Sequence, residues 1–120
     1  MPKVLIVDDS PTETHVMRSA LEKSGFDVVT ADDGEGGLKT AREVLPDAIV
    51  MDVVMPGVNG FQATRKLTKD PETAKIPVVI VTNKDQPTDK VWGLRQGAVA
   101  YMTKPVSGDE LVAKIREVTS

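Results

Sequence analysis

The sequence contains no cysteine, which excludes disulfides, thiolate metal sites and a cysteine nucleophile. Aromatic residues are 3% of the 120 positions, so there is little to stack against a flat cofactor or a single-stranded nucleic acid. The one histidine, His15, reads as a surface residue of the first helix and not as a ligand. No long apolar run exists. The first, Val4 to Val7, is cut off by Asp8 and Asp9, too short for a secretory signal or a membrane span. Charge of neither sign dominates: 15 Lys and Arg against 18 Asp and Glu leave a net charge of −3. Such a chain has no overall pull on nucleic acid or an anionic membrane. These absences point to a cytoplasmic protein with no nucleic-acid partner and no membrane insertion. The length fits one domain, residues 1–120, large enough to bury its own core.

What is present is alternation. Short apolar runs stand at Val4-Leu5-Ile6-Val7, Val28-Val29, Ala48-Ile49-Val50-Met51, Val78-Val79-Ile80-Val81 and, weakly, Ala100-Tyr101-Met102. Three are continuous and rich in β-branched residues, the pattern of strands buried on both faces of a parallel sheet. Between the runs the period turns helical: Val16, Met17, Ala20 and Leu21; Leu38, Ala41 and Leu45; Val91, Leu94 and Ala98; Leu111, Val112, Ile115 and Val118. The stretch after Gly60, with Phe61 and Leu67, is less clear. Ser10-Pro11-Thr12-Glu13 and Ser107-Gly108-Asp109-Glu110 both read as helix starts with capping boxes. Gly25 and Gly97 sit where helices end. Five β-α units of this kind predict an α/β fold, a doubly wound parallel sheet of flavodoxin-like order 2-1-3-4-5.

In such sheets ligands bind beyond the carboxyl ends of the strands, at the switch point. The first strand runs into Asp8 and Asp9, the third into Asp52, the fourth into Thr82, and the fifth is followed by Lys104. Alone, either Asp8 or Asp9 reads as a helix cap, Thr82 as a turn residue and Lys104 as a solvated charge. Together they would gather three carboxylates, a hydroxyl and an ammonium on one sheet edge. Carboxylates so close must be protonated or neutralised by a cation. An all-oxygen donor set favours magnesium, calcium or manganese, and magnesium commonly uses one or two carboxylates beside a phosphorylated substrate.

At this point the sequence resembles the receiver domain of two-component response regulators. The motifs are Asp8-Asp9, the stretch Asp52-Val53-Val54-Met55-Pro56-Gly57-Val58-Asn59-Gly60, Thr82 and Lys104-Pro105, and the resemblance covers essentially the whole chain. Within that family it is similar to the stand-alone, chemotaxis-regulator-like proteins of type IV pilus twitching motility. The similar stretches are Gly60 to Arg65, Leu67 to Asp70, Lys84-Asp85-Gln86 and Thr88 to Gly93.

The resemblance implies that Asp52 accepts a phosphoryl group from a histidine kinase. Asp9 and Asp52 would bind Mg2+ directly, Asp8 partly through water, and the backbone carbonyl of Val54 would complete the set. Lys104 would offset charge on the phosphoryl oxygens, aimed inward by a cis Lys104-Pro105 bond. Thr82 and Tyr101 would be the switch pair, and the fourth helix, fifth strand and fifth helix the output face for a downstream protein. Trp92, on that face, reads as packing or an interaction anchor. Met55 would lie beside the acidic pocket, and Asn83, where many receivers carry a small residue, would alter autodephosphorylation. The chain is expected to be a monomer.

Other readings remain beside this one. The protein could serve as a phosphate sink for a shared kinase, or as an inactive scaffold, against which the full set of polar residues speaks. No conventional multi-turnover enzyme is implied beyond phosphorylation and autodephosphorylation at Asp52. An aspartate-nucleophile phosphatase would carry a second aspartate where Val54 stands. A flavin carrier would want hydroxyls and glycine where Asp8-Asp9-Ser10-Pro11 would repel phosphate without a metal. The chain could also be one domain excised from a longer protein.

Overall fold

A computed structural model describes residues 2–120. Strands and helices alternate: β1 (Lys3–Val7), α1 (Pro11–Lys23), β2 (Asp27–Ala31), α2 (Gly34–Val44), β3 (Ala48–Met51), α3 (Gly60–Lys69), β4 (Val78–Thr82), α4 (Pro87–Arg95), β5 (Ala100–Thr103) and α5 (Gly108–Thr119). The strands form one parallel sheet in the order β2-β1-β3-β4-β5, as the sequence pattern predicts. Among the described residues no helix is long and apolar enough to cross a membrane.

Side chains alternate across the sheet, so each central strand feeds two cores. Val4, Ile6, Val50, Val79 and Val81 face α1 and α5, where Met17, Leu21, Leu111 and Ile115 meet them. Leu5, Val7, Ile49, Met51, Val78 and Ile80 face the other way, onto Leu38 and Ala41 of α2 and Ala63 and Leu67 of α3. All residues of the three continuous apolar runs are fully buried, which explains their lack of polar alternation.

The helical stripes hold less evenly. Val16 and Leu45 are exposed, and so are Val91 and Leu94 of α4, where only Gly93 is buried. The α4 pattern therefore does not mark a core face. Helix α4 packs through a small residue: a Cβ at Gly93 would lie 2.9 Å from both Ile80 Cδ1 and the Tyr101 ring. Trp92 points outward and is exposed. Helix α3, the unclear stretch, is closed by a reciprocal cap between Asn59 and Gln62. The two boxes expected at Ser10 and Ser107 are half-made. Each serine Oγ accepts from the N–H three residues on, but neither glutamate returns the bond. The reason at Ser10 lies in the site.

Candidate functional site

Parallel pairing aligns the carboxyl ends of the central strands. Val7 lies opposite Met51 in register, and Met51 opposite Ile80. The ladder then runs one residue past the strands. Asp8 N donates to Ala31 O at 3.1 Å, Asp52 N to Val7 O at 2.9 Å, and Lys104 N to Thr82 O at 2.8 Å. The first polar residue after each of these strands is thus fixed by the backbone before its side chain makes any contact.

Those side chains converge. Lys104 Nζ donates to Asp8 Oδ2 at 2.9 Å and to Asp52 Oδ2 at 3.3 Å, and also to Glu13 Oε2. The lysine side chain is 7% exposed, that of Asp8 1% and that of Asp52 9%. The Lys104–Pro105 peptide is cis. Asp52 Oδ1 accepts from Val53 N at 2.7 Å, and Asp8 Oδ1 from Ser10 N at 2.9 Å. Each aspartate therefore has one oxygen tied to backbone and the other turned to the lysine. The Ser10 N–H that a capping box would offer to Glu13 is already held by Asp8, which leaves the glutamate for Lys104.

Charge in this enclosed place has consequences. Burial pushes the Asp8 carboxyl up, and the neighbouring charge of Asp52 adds to it; the bonds from Lys104 and Ser10 only partly counter this. Burial disfavours the Lys104 ammonium too, but the hydrogen bonds to Glu13 and Asp8 and the charge of Asp52 outweigh it and raise its pKa. One cation is shared by three carboxylates and cannot satisfy all of them.

Asp8, Asp9 and Asp52 each present a carboxylate oxygen within 4.8 Å of the others. Oxygens on opposite sides of a magnesium ion lie about 4 Å apart. Asp9 is exposed while the other two are buried, so the cluster opens to solvent on one side. This donor set, oxygen throughout and in excess of negative charge, fits a hard divalent cation. Val54 follows two residues after Asp52 and is exposed.

Thr82 is fully buried at the end of β4, and its Oγ1 receives Lys84 N at 3.4 Å. Tyr101 lies half-buried on β5, packed against the second core, and its hydroxyl donates to Lys84 O at 2.8 Å. Thr82 and Tyr101 thus both reach the backbone of Lys84. Burial, with the charges of Asp89, Asp52 and Asp85, pushes the Tyr101 phenol up to about 12. Asn83 is exposed and borders the groove between Glu13 and Lys104. Met55 is buried in the second core, 8% exposed, and also borders a surface cleft with Lys84, Asp89 and Trp92. It is core as much as pocket. His15 is exposed. The sequence marks Glu13 only as a capping residue, and the contact with Lys104 adds it to the site.

Residues 4–116 match the family described as the response regulator receiver domain. The chain is 58% identical over 118 residues to protein PilH of Pseudomonas aeruginosa, which covers 98% of each. It is 40% identical over 116 residues to the DNA-binding dual master transcriptional regulator RpaA of Synechocystis, covering 97% of this chain and 48% of that protein. The chain therefore spans nearly all of one relative and about half of the other. Among solved structures it is similar to the chemotaxis protein CheY4 of Vibrio cholerae, with TM-score 0.92, 30% identity and 98% of each chain covered. It is likewise similar to the receiver domain of the Francisella response regulator 1452, with TM-score 0.92, 32% identity and coverage of 99% and 97%.

Proposed function

The chain belongs to the response regulator receiver family of two-component signalling, and on that premise we propose that Asp52 is its phosphoacceptor. The observation that carries this is the convergence of Asp8, Asp9 and Asp52 with the buried Lys104 ammonium at the carboxyl edge of the sheet.

In this reading a carboxylate oxygen of Asp52 attacks the phosphorus of a kinase phosphohistidine. The new P–O bond forms as the P–N bond breaks, and the electron pair leaves with the imidazole, which takes up a proton. Asp8, Asp9 and Asp52, with the Val54 carbonyl, would hold a magnesium ion, which supplies charge neutralisation for the phosphoryl oxygens. The bond from Val53 N to Asp52 Oδ1 orients the acceptor, leaving its other oxygen toward Lys104. Lys104 takes charge from an equatorial phosphoryl oxygen, and its burial strengthens that interaction. Asn83, at the rim, modulates access of water and so the lifetime of the phosphoryl group.

The product carries about −1.5 to −2 charge and three strong acceptors. Thr82 Oγ1, held only by the long contact from Lys84 N, is free to donate to one of them. That would draw the β4–α4 loop inward and disturb the Tyr101–Lys84 bond. Loop and tyrosine together carry the change to the face of α4, β5 and α5. On α4 and the turn beyond it Val91, Trp92, Leu94 and Val99 are exposed, an apolar set suited to a downstream protein partner. The near-complete likeness to PilH, together with the motif resemblance, supports a role in control of type IV pilus twitching motility, with the chain acting as a cytoplasmic monomer.

The test is intact mass after incubation with magnesium and a small-molecule phosphodonor, for the wild type beside Asp52→Asn. The expected result is one added phosphoryl group, absent in the variant and absent without magnesium. Addition that persists in Asp52→Asn would refute the assignment.

A further inference from the structure

Glu13 stands in the first turn of α1, where its charge is favoured by the helix N-terminus. Its carboxylate is released from capping, because the Ser10 N–H goes to Asp8, and it reaches Lys104 instead. An ammonium has three N–H donors. Here they meet Asp8, Glu13 and Asp52, and the 3.3 Å contact to Asp52 is the longest of the three. A phosphoryl group on Asp52 brings its negative oxygens to this weakest-held side. Glu13 and those oxygens then compete for one cation. Glu13 lies outside the Asp8-Asp9-Asp52 cluster, so it can be changed without touching the carboxylates that would hold a metal.

We propose that Glu13 is a positioning residue that restrains Lys104 and thereby lowers the affinity of the site for a phosphoryl group at Asp52. The proposal rests on the reading of Asp52 as phosphoacceptor. Its size is bounded by burial: the Lys104 side chain is 7% exposed but that of Glu13 is 40% exposed. Solvent screens one end of the pair, so the competition lies above an exposed pair and well below a buried one. A change of about three- to tenfold in affinity is expected.

The probe is beryllofluoride, a phosphoryl mimic formed from beryllium chloride and fluoride, titrated in the presence of magnesium. Trp92, the only tryptophan, reports binding from a cleft shared with Val53, Val54 and Met55, the residues following Asp52. Glu13→Gln keeps the size and an acceptor but removes the charge. Glu117→Gln, at the exposed Lys114 pair on α5, removes the same charge elsewhere. Glu13→Gln should bind about three- to tenfold more tightly than the wild type and the Glu117 control. The gain should shrink as salt rises from about 0.05 to about 0.5 M. A purely structural Glu13 would give the opposite sign, since its loss would loosen the site and weaken binding. Equal or weaker binding by folded Glu13→Gln overturns the proposal, and Glu13→Ala decides by the same criterion if the glutamine variant does not fold. A wild type that binds no beryllofluoride overturns the phosphoacceptor reading itself, whereas a wild type that binds, with no gain in the variant, overturns this inference alone.

Discussion

Replacing Gly60 by alanine sets two opposed effects against each other in one methyl group. Gly60 opens α3, and alanine there gains at most about 1 kcal/mol from helix propensity and a less free unfolded chain. Against this, a Cβ at Gly60 would lie 1.9 Å from Asp52 O and 2.7 Å from Val53 Cα. Both obstacles are backbone, so no side chain can rotate away. Nor can Gly60 withdraw easily: its N–H donates to Val53 O at 2.9 Å and its carbonyl accepts from the buried Thr64 Oγ1 at 2.7 Å. Overpacking a rigid site costs about 1–3 kcal/mol, and an overlap with backbone belongs at the top of that range. The net is a loss of about 2 kcal/mol. For a domain of this size that is about 8 °C in Tm and about 1 M in urea midpoint. Because the displaced atoms belong to the Asp52 peptide, phosphorylation by a small-molecule donor should slow as well. Gly57→Ala is the control. Its φ is +73° but its Cβ would meet nothing within 4 Å, so it should cost only the left-handed conformation, about 1–2 kcal/mol, without slowing phosphorylation to the same degree. Paired urea melts and phosphorylation rates decide the matter. A Gly60→Ala protein as stable as the wild type, or one phosphorylated as readily as Gly57→Ala, would refute the steric argument.

Two further predictions concern titration. The Asp8 carboxyl is raised above its ordinary 3.8 by burial, so its contribution to stability is fully present below pH 3.8 and is lost as the pH rises through the folded value. Asp8→Asn should therefore stabilise the protein in chelator at pH 7, with the gain fading toward pH 3.8, and should abolish the stabilisation that magnesium confers on the wild type; thermal melts across pH with and without magnesium would show it, and a variant less stable than the wild type at pH 7 in chelator would contradict it. Tyr101 is the only tyrosine, so its ultraviolet titration is unambiguous; the midpoint should fall near 12, and a midpoint near the ordinary 10 would mean that the phenol is not enclosed against Lys84. Tyr101→Phe should cost about 1 kcal/mol through the lost bond to Lys84 O, read as a small drop in urea midpoint.

The sheet was legible in the sequence because burial on both faces leaves a compositional mark. Val4 to Val7, Ala48 to Met51 and Val78 to Val81 have no exposed side to advertise. The edge was legible because parallel pairing brings the residue after each strand to the same place, so Asp8 and Asp52 could be aligned from the ends of apolar runs, with Lys104 two residues beyond the last run. At helix α4 the periodicity and the packing part for a physical reason: Val91 and Leu94 carry the helical period of a core face, but a helix can also be seated on the sheet through one glycine, and Gly93 gives no apolar signal. Helix α3 was faint because Gly60 and Thr64 occupy buried turns of its inner face beside Ala63 and Leu67. Glu13 shows where local reading stops. Ser10-Pro11-Thr12-Glu13 satisfies the spacing of a capping box, and nothing within those residues says that the box stays open. The outcome is set by Asp8, which takes the Ser10 N–H from two residues away, and by Lys104, which lies 91 residues further along the chain. A helix-start motif placed directly after an acidic pair, at the carboxyl edge of a sheet, has a competing acceptor on one side and a competing cation on the other. In that setting the glutamate of the motif is better read as part of the site than as part of the cap.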